Sequence, residues 1–136
     1  MKVEYYKKIY GFDCDVYGHL NNSSYLKVYE EARAEALNKL SLSIRDLLES
    51  GIHIYLTKIE LNFLKAVELE DTVRIITQIE KSNRLRATWK QEIFNSKNEL
   101  CNMAIVEGVF VKEGKPFRLP VALYEKIAGS NKKKGN

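Results

Sequence analysis

Cysteine is scarce: only Cys14 and Cys101 occur in 136 residues, far apart and without CxxC spacing. Such usage argues against a disulfide-stapled scaffold and for a reduced, cytoplasmic setting. The two histidines, His19 and His53, are equally isolated, so no metal site is expected. No apolar run approaches the ~20 residues of a membrane-spanning helix. The start, Met1-Lys2-Val3-Glu4, leads straight into a strand-like pattern rather than a targeting segment. A net charge of +4 invites a nucleic-acid reading, but three of the 22 basic residues are Lys132, Lys133 and Lys134. Without them 19 basic residues stand against 18 acidic ones. The excess is therefore terminal, and no nucleic-acid partner is expected.

What is present suits one globular domain. Hydrophobic residues make up 45% and charged residues 29%. A chain of this length buries roughly two thirds of its unfolded surface without help from metal or disulfide. The expected folded domain is residues 1–128, with 129–136 a disordered polar basic tail. Val3 to Phe12 reads as a strand. A polar turn follows, and then Tyr25, Val28, Tyr29, Ala32, Ala36 and Leu40 recur at helical spacing. They predict a helix from about residue 22 to 39, with Asn21, Asn22 and Ser23 as N-cap candidates. Ser43 to Ser50 reads as a short second helix capped by Ser43 and ended by Gly51.

From Ile52 the pattern is all strand. In His53 to Ala66 the apolar phase is even at Ile52, Ile54 and Leu56, then odd at Ile59, Leu61 and Phe63. The switch near Thr57 predicts a bulge or a change of partner. Further strands are expected at Thr72–Glu80, around Leu85 to Ile93, and at Leu100–Val111, the last apolar on both faces and so central. Gly114 and Pro116 should break the sheet, and Pro120 should start a last helical turn. Hairpin-connected strands with a segregated helix predict an α+β sandwich, with a curved antiparallel sheet of about five strands wrapped around a long helix.

Chemistry concentrates in Asp13 to Asn22. Two carboxylates, a glycine, a histidine and two asparagines lie just ahead of a helix. A turn plus an N-cap is the ordinary reading. The same arrangement also sets a carboxylate beside free backbone N–H groups and the positive end of a helix, which suits acyl transfer.

Asp13-Cys14-Asp15-Val16-Tyr17-Gly18-His19-Leu20-Asn21-Asn22-Ser23-Ser24-Tyr25-Leu26, with Tyr29-Glu30-Glu31-Ala32-Arg33, resembles the DxDxxGHxNNxxYLxxxEEAR signature of 4-hydroxybenzoyl-CoA thioesterase-like hotdog proteins. The resemblance covers most of the chain and implies hydrolysis of an acyl-CoA thioester. It implies Asp15 as nucleophile or general base and stabilisation of the oxyanion near the Asn22 N–H. Gly18 should let the backbone turn close beside the substrate, His19 should orient the loop rather than act as a general acid–base group, and Asn21, Tyr25 and Thr57 are further substrate-binding candidates. Asp13 is expected to brace the loop through backbone hydrogen bonds. Glu31 and Arg33 match the signature, with helix-surface ion pairing their ordinary role. His53 and Trp89 read as strand and core residues. Family hotdogs bind the nucleotide of CoA from a turn that here corresponds to Lys81 to Arg86, with Lys81, Arg84 and Arg86 as phosphate contacts. CoA is then part of the substrate, and no separate cofactor is expected. The family also assembles as homodimers or homotetramers. Acyl groups carried on acyl carrier protein, and a non-catalytic acyl-CoA-binding module, are the competing readings.

Overall fold

The computed structural model describes residues 2–135, and side chains as far as residue 128. Its strands are β1 (Lys2–Lys8), β2 (Ile52–Phe63), β3 (Thr72–Ser82), β4 (Arg86–Phe94), β5 (Leu100–Lys112) and β6 (Lys115–Pro116). Its helices are α1 (Ser24–Lys39), α2 (Ile44–Glu49) and α3 (Val121–Gly135). The strands form one curved antiparallel sheet in the order β1-β3-β4-β5-β2, and β6 adds to β5.

α1 lies on one face of this sheet. Tyr25, Val28, Tyr29, Ala32, Ala36 and Leu37 are its buried residues, and they join Val73, Ile75, Trp89, Ile93, Ala104 and Val106 in the core. Each large apolar side chain removed from water there contributes about 1.5–3 kcal/mol. Leu37 takes the place expected of Leu40, because the helix closes at Lys39 and Ser41 turns the chain with φ 59°. In α2, Ser43 caps as its position predicts, its hydroxyl accepting the Asp46 N–H at 3.1 Å. The bulge foreseen near Thr57 is present, as a register shift between Leu56 and Lys58 against β5.

Several expectations are corrected. The first strand stops at Lys8 rather than Phe12. The Ile9 N–H still bonds the Asp71 carbonyl, next in register after Lys8 and Thr72, and Gly11–Asp13 then leaves the sheet as a single 3₁₀ turn. The strand expected to be central is interior: β5 pairs with β4 on one side and with the edge strand β2 on the other. Pro116 does not end the sheet: its residue pairs with Val111 in the short β6. The last helix exceeds one turn, starting at Val121. The expected polar tail falls on 129–136, whose side chains lie outside the described residues.

Candidate active site

Asp15 begins a tight hairpin between β1 and α1. Cys14 and Leu20 pair across it, the Asp15 N–H donates to the His19 carbonyl at 2.8 Å, and the Gly18 N–H donates to the Asp15 carbonyl at 3.1 Å. Gly18 sits at φ 75°, in the left-handed region where a Cβ is strained. The turn folds the carboxylate back on its own backbone. Asp15 Oδ1 accepts the Tyr17 N–H at 2.9 Å and the His19 N–H at 3.2 Å. Among the described residues, Oδ2 has no partner. One oxygen is fixed, and the other is available to a substrate.

The hairpin is tied to the chain just ahead of β3. Leu20 donates to the Val67 carbonyl and Leu69 to the Gly18 carbonyl, each at 2.8 Å. His19 Nε2 lies 3.4 Å from Glu68 Oε1. Beneath, Asp13 is buried, and Lys27 Nζ reaches its Oδ1 at 3.3 Å. Asp13 thus braces the loop, but its carboxylate is held by an ammonium and not by the backbone donors expected of it.

The start of α1 also departs from expectation. Ser23 is the N-cap residue but makes no side-chain cap bond. Asn21 Oδ1 instead accepts both the Ser23 N–H, at 3.1 Å, and its hydroxyl, at 2.9 Å. The first-turn N–H groups of α1 therefore have no side-chain cap, and they carry the partial positive charge of a helix N-terminus. They adjoin a cleft of about 360 Å³ whose walls include Asp15, His19, Asn22, Tyr25, Phe63 and Lys65. The Phe63 and Tyr25 rings meet edge-on at 5.1 Å. Burial pushes the Tyr25 phenol above its ordinary pKa, opposed by a hydrogen bond with the Val67 backbone.

The fold gathers Asp15, His19, Asn22 and Tyr25 at that cleft, while Gly18 and Asn21 shape the backbone behind it. Thr57 is elsewhere: it is exposed at the β2 bulge, its hydroxyl donating to the Glu107 carbonyl at 3.2 Å. Lys81 and Arg86 share a different space of about 320 Å³ with Thr88 and Glu107. Arg86 and Thr88 alternate with the core residues Ala87 and Trp89, which puts that space on the sheet face away from α1. Arg84 Nε donates to the Leu119 carbonyl at 2.8 Å. Within one chain, the basic groups assigned to CoA do not share a cavity with Asp15.

Two roles escaped the sequence. Glu31 reaches across to β1, pairing with Lys7 Nζ at 2.9 Å, and Arg33 is turned inward to Gln91 Oε1 at 3.0 Å. Neither makes the helix-surface pair expected of it. The signal for Arg33 was its place on the helical stripe between Tyr29, Ala32 and Ala36. Phe63 and Lys65 gave no comparable signal, because only the path of the chain at the end of β2 and just beyond it brings them to Asp15.

Among the described residues there is no cluster of three or more His, Cys, Asp and Glu side chains able to hold a metal ion. Among the described residues no helix is long and apolar enough to cross a membrane.

Comparison with known proteins places this geometry. Over 118 residues the chain is 29% identical to the acyl-CoA thioester hydrolase YbgC of Escherichia coli O6:H1, covering 85% of this chain and 88% of that one. It is 33% identical over 76 residues to the long-chain acyl-CoA thioesterase FadM of Escherichia coli K12, covering 56% and 57%. The solved structure of DHNA-CoA thioesterase from Staphylococcus aureus matches with a TM-score of 0.91 at 26% identity, over 99% of this chain and 95% of that one. Residues 12–127 fit the family model of the thioesterase-like superfamily, and the chain is a member of that hotdog family.

Proposed function

We propose that this protein is an acyl-CoA thioesterase that hydrolyses its substrate to a carboxylic acid and free CoA, with Asp15 as the reacting group. The observation that carries this reading is the division of labour within one carboxylate: Oδ1 is held by two backbone N–H groups, while Oδ2 is unpartnered in the cleft beside an uncapped helix N-terminus.

The thioester carbonyl lies over the start of α1, near Asn22, where the helix N-terminus stabilises the oxyanion that develops. Along one route Oδ2 attacks the carbonyl carbon, the C–S bond breaks, and CoA leaves as a thiolate that takes up a proton. Water then cleaves the resulting mixed anhydride. Along the other, Oδ2 accepts a proton from water, the hydroxide adds to the carbonyl, and the same C–S bond breaks. A thiolate leaves readily, so neither route needs a full nucleophile–histidine–acid triad. His19 is a positioning residue, holding Asp15 through its backbone N–H, and Tyr25 and Phe63 wall the cleft.

The working unit is a homodimer, which pairs again into a homotetramer, in the cytoplasm, where Cys14 and Cys101 stay reduced. β2 supports the assembly: it is a twelve-residue edge strand with Tyr55, Leu56 and Phe63 exposed. A second copy paired there covers both its open backbone and its apolar side chains. Substrate then sits between protomers, and Lys81 and Arg86 of one chain serve the phosphates of a CoA whose thioester lies in the cleft of the other.

Release of free thiol by the purified chain tests the proposal, assayed on short, long and aromatic acyl-CoAs and on an acyl carrier protein substrate. Saturable turnover of at least one acyl-CoA is expected. Turnover of the carrier-protein substrate alone would move the substrate class, and turnover of none would leave only a binding module.

A further inference from the structure

A second space lies between α1, α2 and the first half of β2, with a volume of about 420 Å³. It is a groove with mainly apolar walls, Leu37, Ile54 and Trp89 inside and the exposed Ile44, Leu48 and Leu56 at its rim, and Arg33 and His53 open onto it. This cavity and the Asp15 cleft are both bounded by α1 and β2, at opposite ends of the two elements. Eight residues separate Tyr25 from Arg33, which is about 12 Å along the helix.

Arg33 is an unusual wall for an apolar cavity. Its guanidinium is partly buried, and its one hydrogen bond is to the neutral amide of Gln91. That amide is itself pinned, since Gln91 Nε2 donates to the Tyr29 carbonyl at 3.0 Å and to the Thr77 hydroxyl at 2.9 Å. Gln91 is fully buried, so the guanidinium is held at a fixed place on the wall. Among the described residues no carboxylate lies within ion-pair distance of Arg33. Glu30, one turn earlier, lines the same cavity but is exposed and makes no bond to it. Arginine stays protonated in proteins, and a desolvated cation without an anion is costly. Burial lowers the Arg33 pKa, opposed by the charge of Glu30. A fixed cation in an apolar chamber is the complement of one ligand chemistry: a hydrocarbon body carrying a carboxylate.

We propose that this cavity binds an apolar carboxylate with Arg33 as its anchor. The ligand has two sources in a thioesterase, and its identity rests on that reading: an acyl group bearing a second, distal carboxylate, or the acid released by hydrolysis. Gln91 is the positioning residue for the guanidinium.

Trp89, the only tryptophan of the chain, lines the cavity and reports on it without any turnover. Octanoate titrated into the full chain should change Trp89 emission saturably and bind about tenfold more tightly than octanamide, the worth of one charge-assisted hydrogen bond. In Arg33→Gln the two ligands should bind alike, and in Arg33→Lys part of the preference should return, with thermal melts reporting that each variant is folded. Equal binding of octanoate and octanamide by the wild type would overturn the proposal, as would no saturable change or a preference that survives in Arg33→Gln. The wild-type comparison needs no variant, so it stands even if Arg33→Gln does not fold. Hydrolysis of octanoyl-CoA and of the mono-CoA thioester of octanedioic acid separates the sources. An Arg33-dependent preference of about tenfold in kcat/KM for the second identifies the acyl group. Equal rates with competitive inhibition by octanoate identify the released acid. If octanoate binds at Trp89 but no thioester is hydrolysed, the thioesterase reading fails while the carboxylate site stands.

Discussion

The two edges of the sheet are built in opposite ways. β1 is seven residues long, and its outer positions carry Lys2, Glu4, Tyr6 and Lys8. It is tied down by polar contacts: Lys7 and Tyr5 both reach Glu31 of α1, and Glu4 pairs with Arg74 of β3 at 3.3 Å. β2 is twelve residues long, is bulged at its middle, and leaves Tyr55, Leu56 and Phe63 exposed on either side of a Lys58–Glu60 ion pair. Short, charged edges are how sheets avoid joining other sheets, and a long apolar edge is what joins them. The Asp15 cleft and the Arg33 cavity both lie on the β2 side.

The largest effect should come from charging the two edges in turn. Leu56→Asp on β2 should raise the concentration needed for association by at least about thirtyfold, while Tyr6→Asp on β1 should leave it unchanged. Sedimentation over a dilution series reads both, and equal behaviour of the two variants would break the contrast. The next effect compares two turns. Gly18 and Gly114 share φ 75°, and a Cβ at either would meet nothing within 4 Å. Alanine at each should cost about 1–2 kcal/mol through backbone strain alone. Only Gly18→Ala should also lower thioester hydrolysis, because only that turn aims Asp15. Equal activity of the two variants would separate the turn from the site.

The smallest effect concerns pH at the β1 edge. The hydrogen bond to Glu31 raises the Lys7 pKa, opposed by desolvation. A lysine whose pKa is raised on folding gives stability that is complete below its unfolded value, about 10.4, and lost as pH rises through the folded value. Melting temperature should therefore carry the full contribution of this pair, unchanged with pH, between neutrality and pH of about 9, and show a fall above 10.4 that Lys7→Met reduces. An unchanged alkaline limb in that variant would remove the pair from the account.

Where local pattern decides structure, the fold could be read in advance. The helical stripe located α1, Ser43 located α2, and the phase switch across Thr57 located the β2 bulge. Alternation misled at the end of β1, since Ile9, Tyr10 and Phe12 continue a strand-like pattern. What ends the strand is the 3₁₀ turn of Gly11–Asp13, closed by the Cys14 N–H on the Gly11 carbonyl, which the alternation does not encode. The site divides similarly. Residue chemistry could not rank Asp13 against Asp15, and the resemblance chose Asp15; in the structure Asp13 is buried against Lys27, while Asp15 is only partly buried and lines the cleft. Arg33 was read as a surface residue because its partner, Gln91, lies 58 positions away.

The central claim is that Asp15 reacts through its unpartnered oxygen. Asp15→Asn keeps the acceptor oxygen that the Tyr17 and His19 N–H groups require and replaces the reactive one with an amide. Hydrolysis of the best acyl-CoA substrate by this variant, with CoA binding and melting temperature measured on the same sample, is the direct test. We predict loss of turnover by at least about a thousandfold, with CoA affinity and stability retained. Turnover within a few-fold of the wild type would contradict the mechanism.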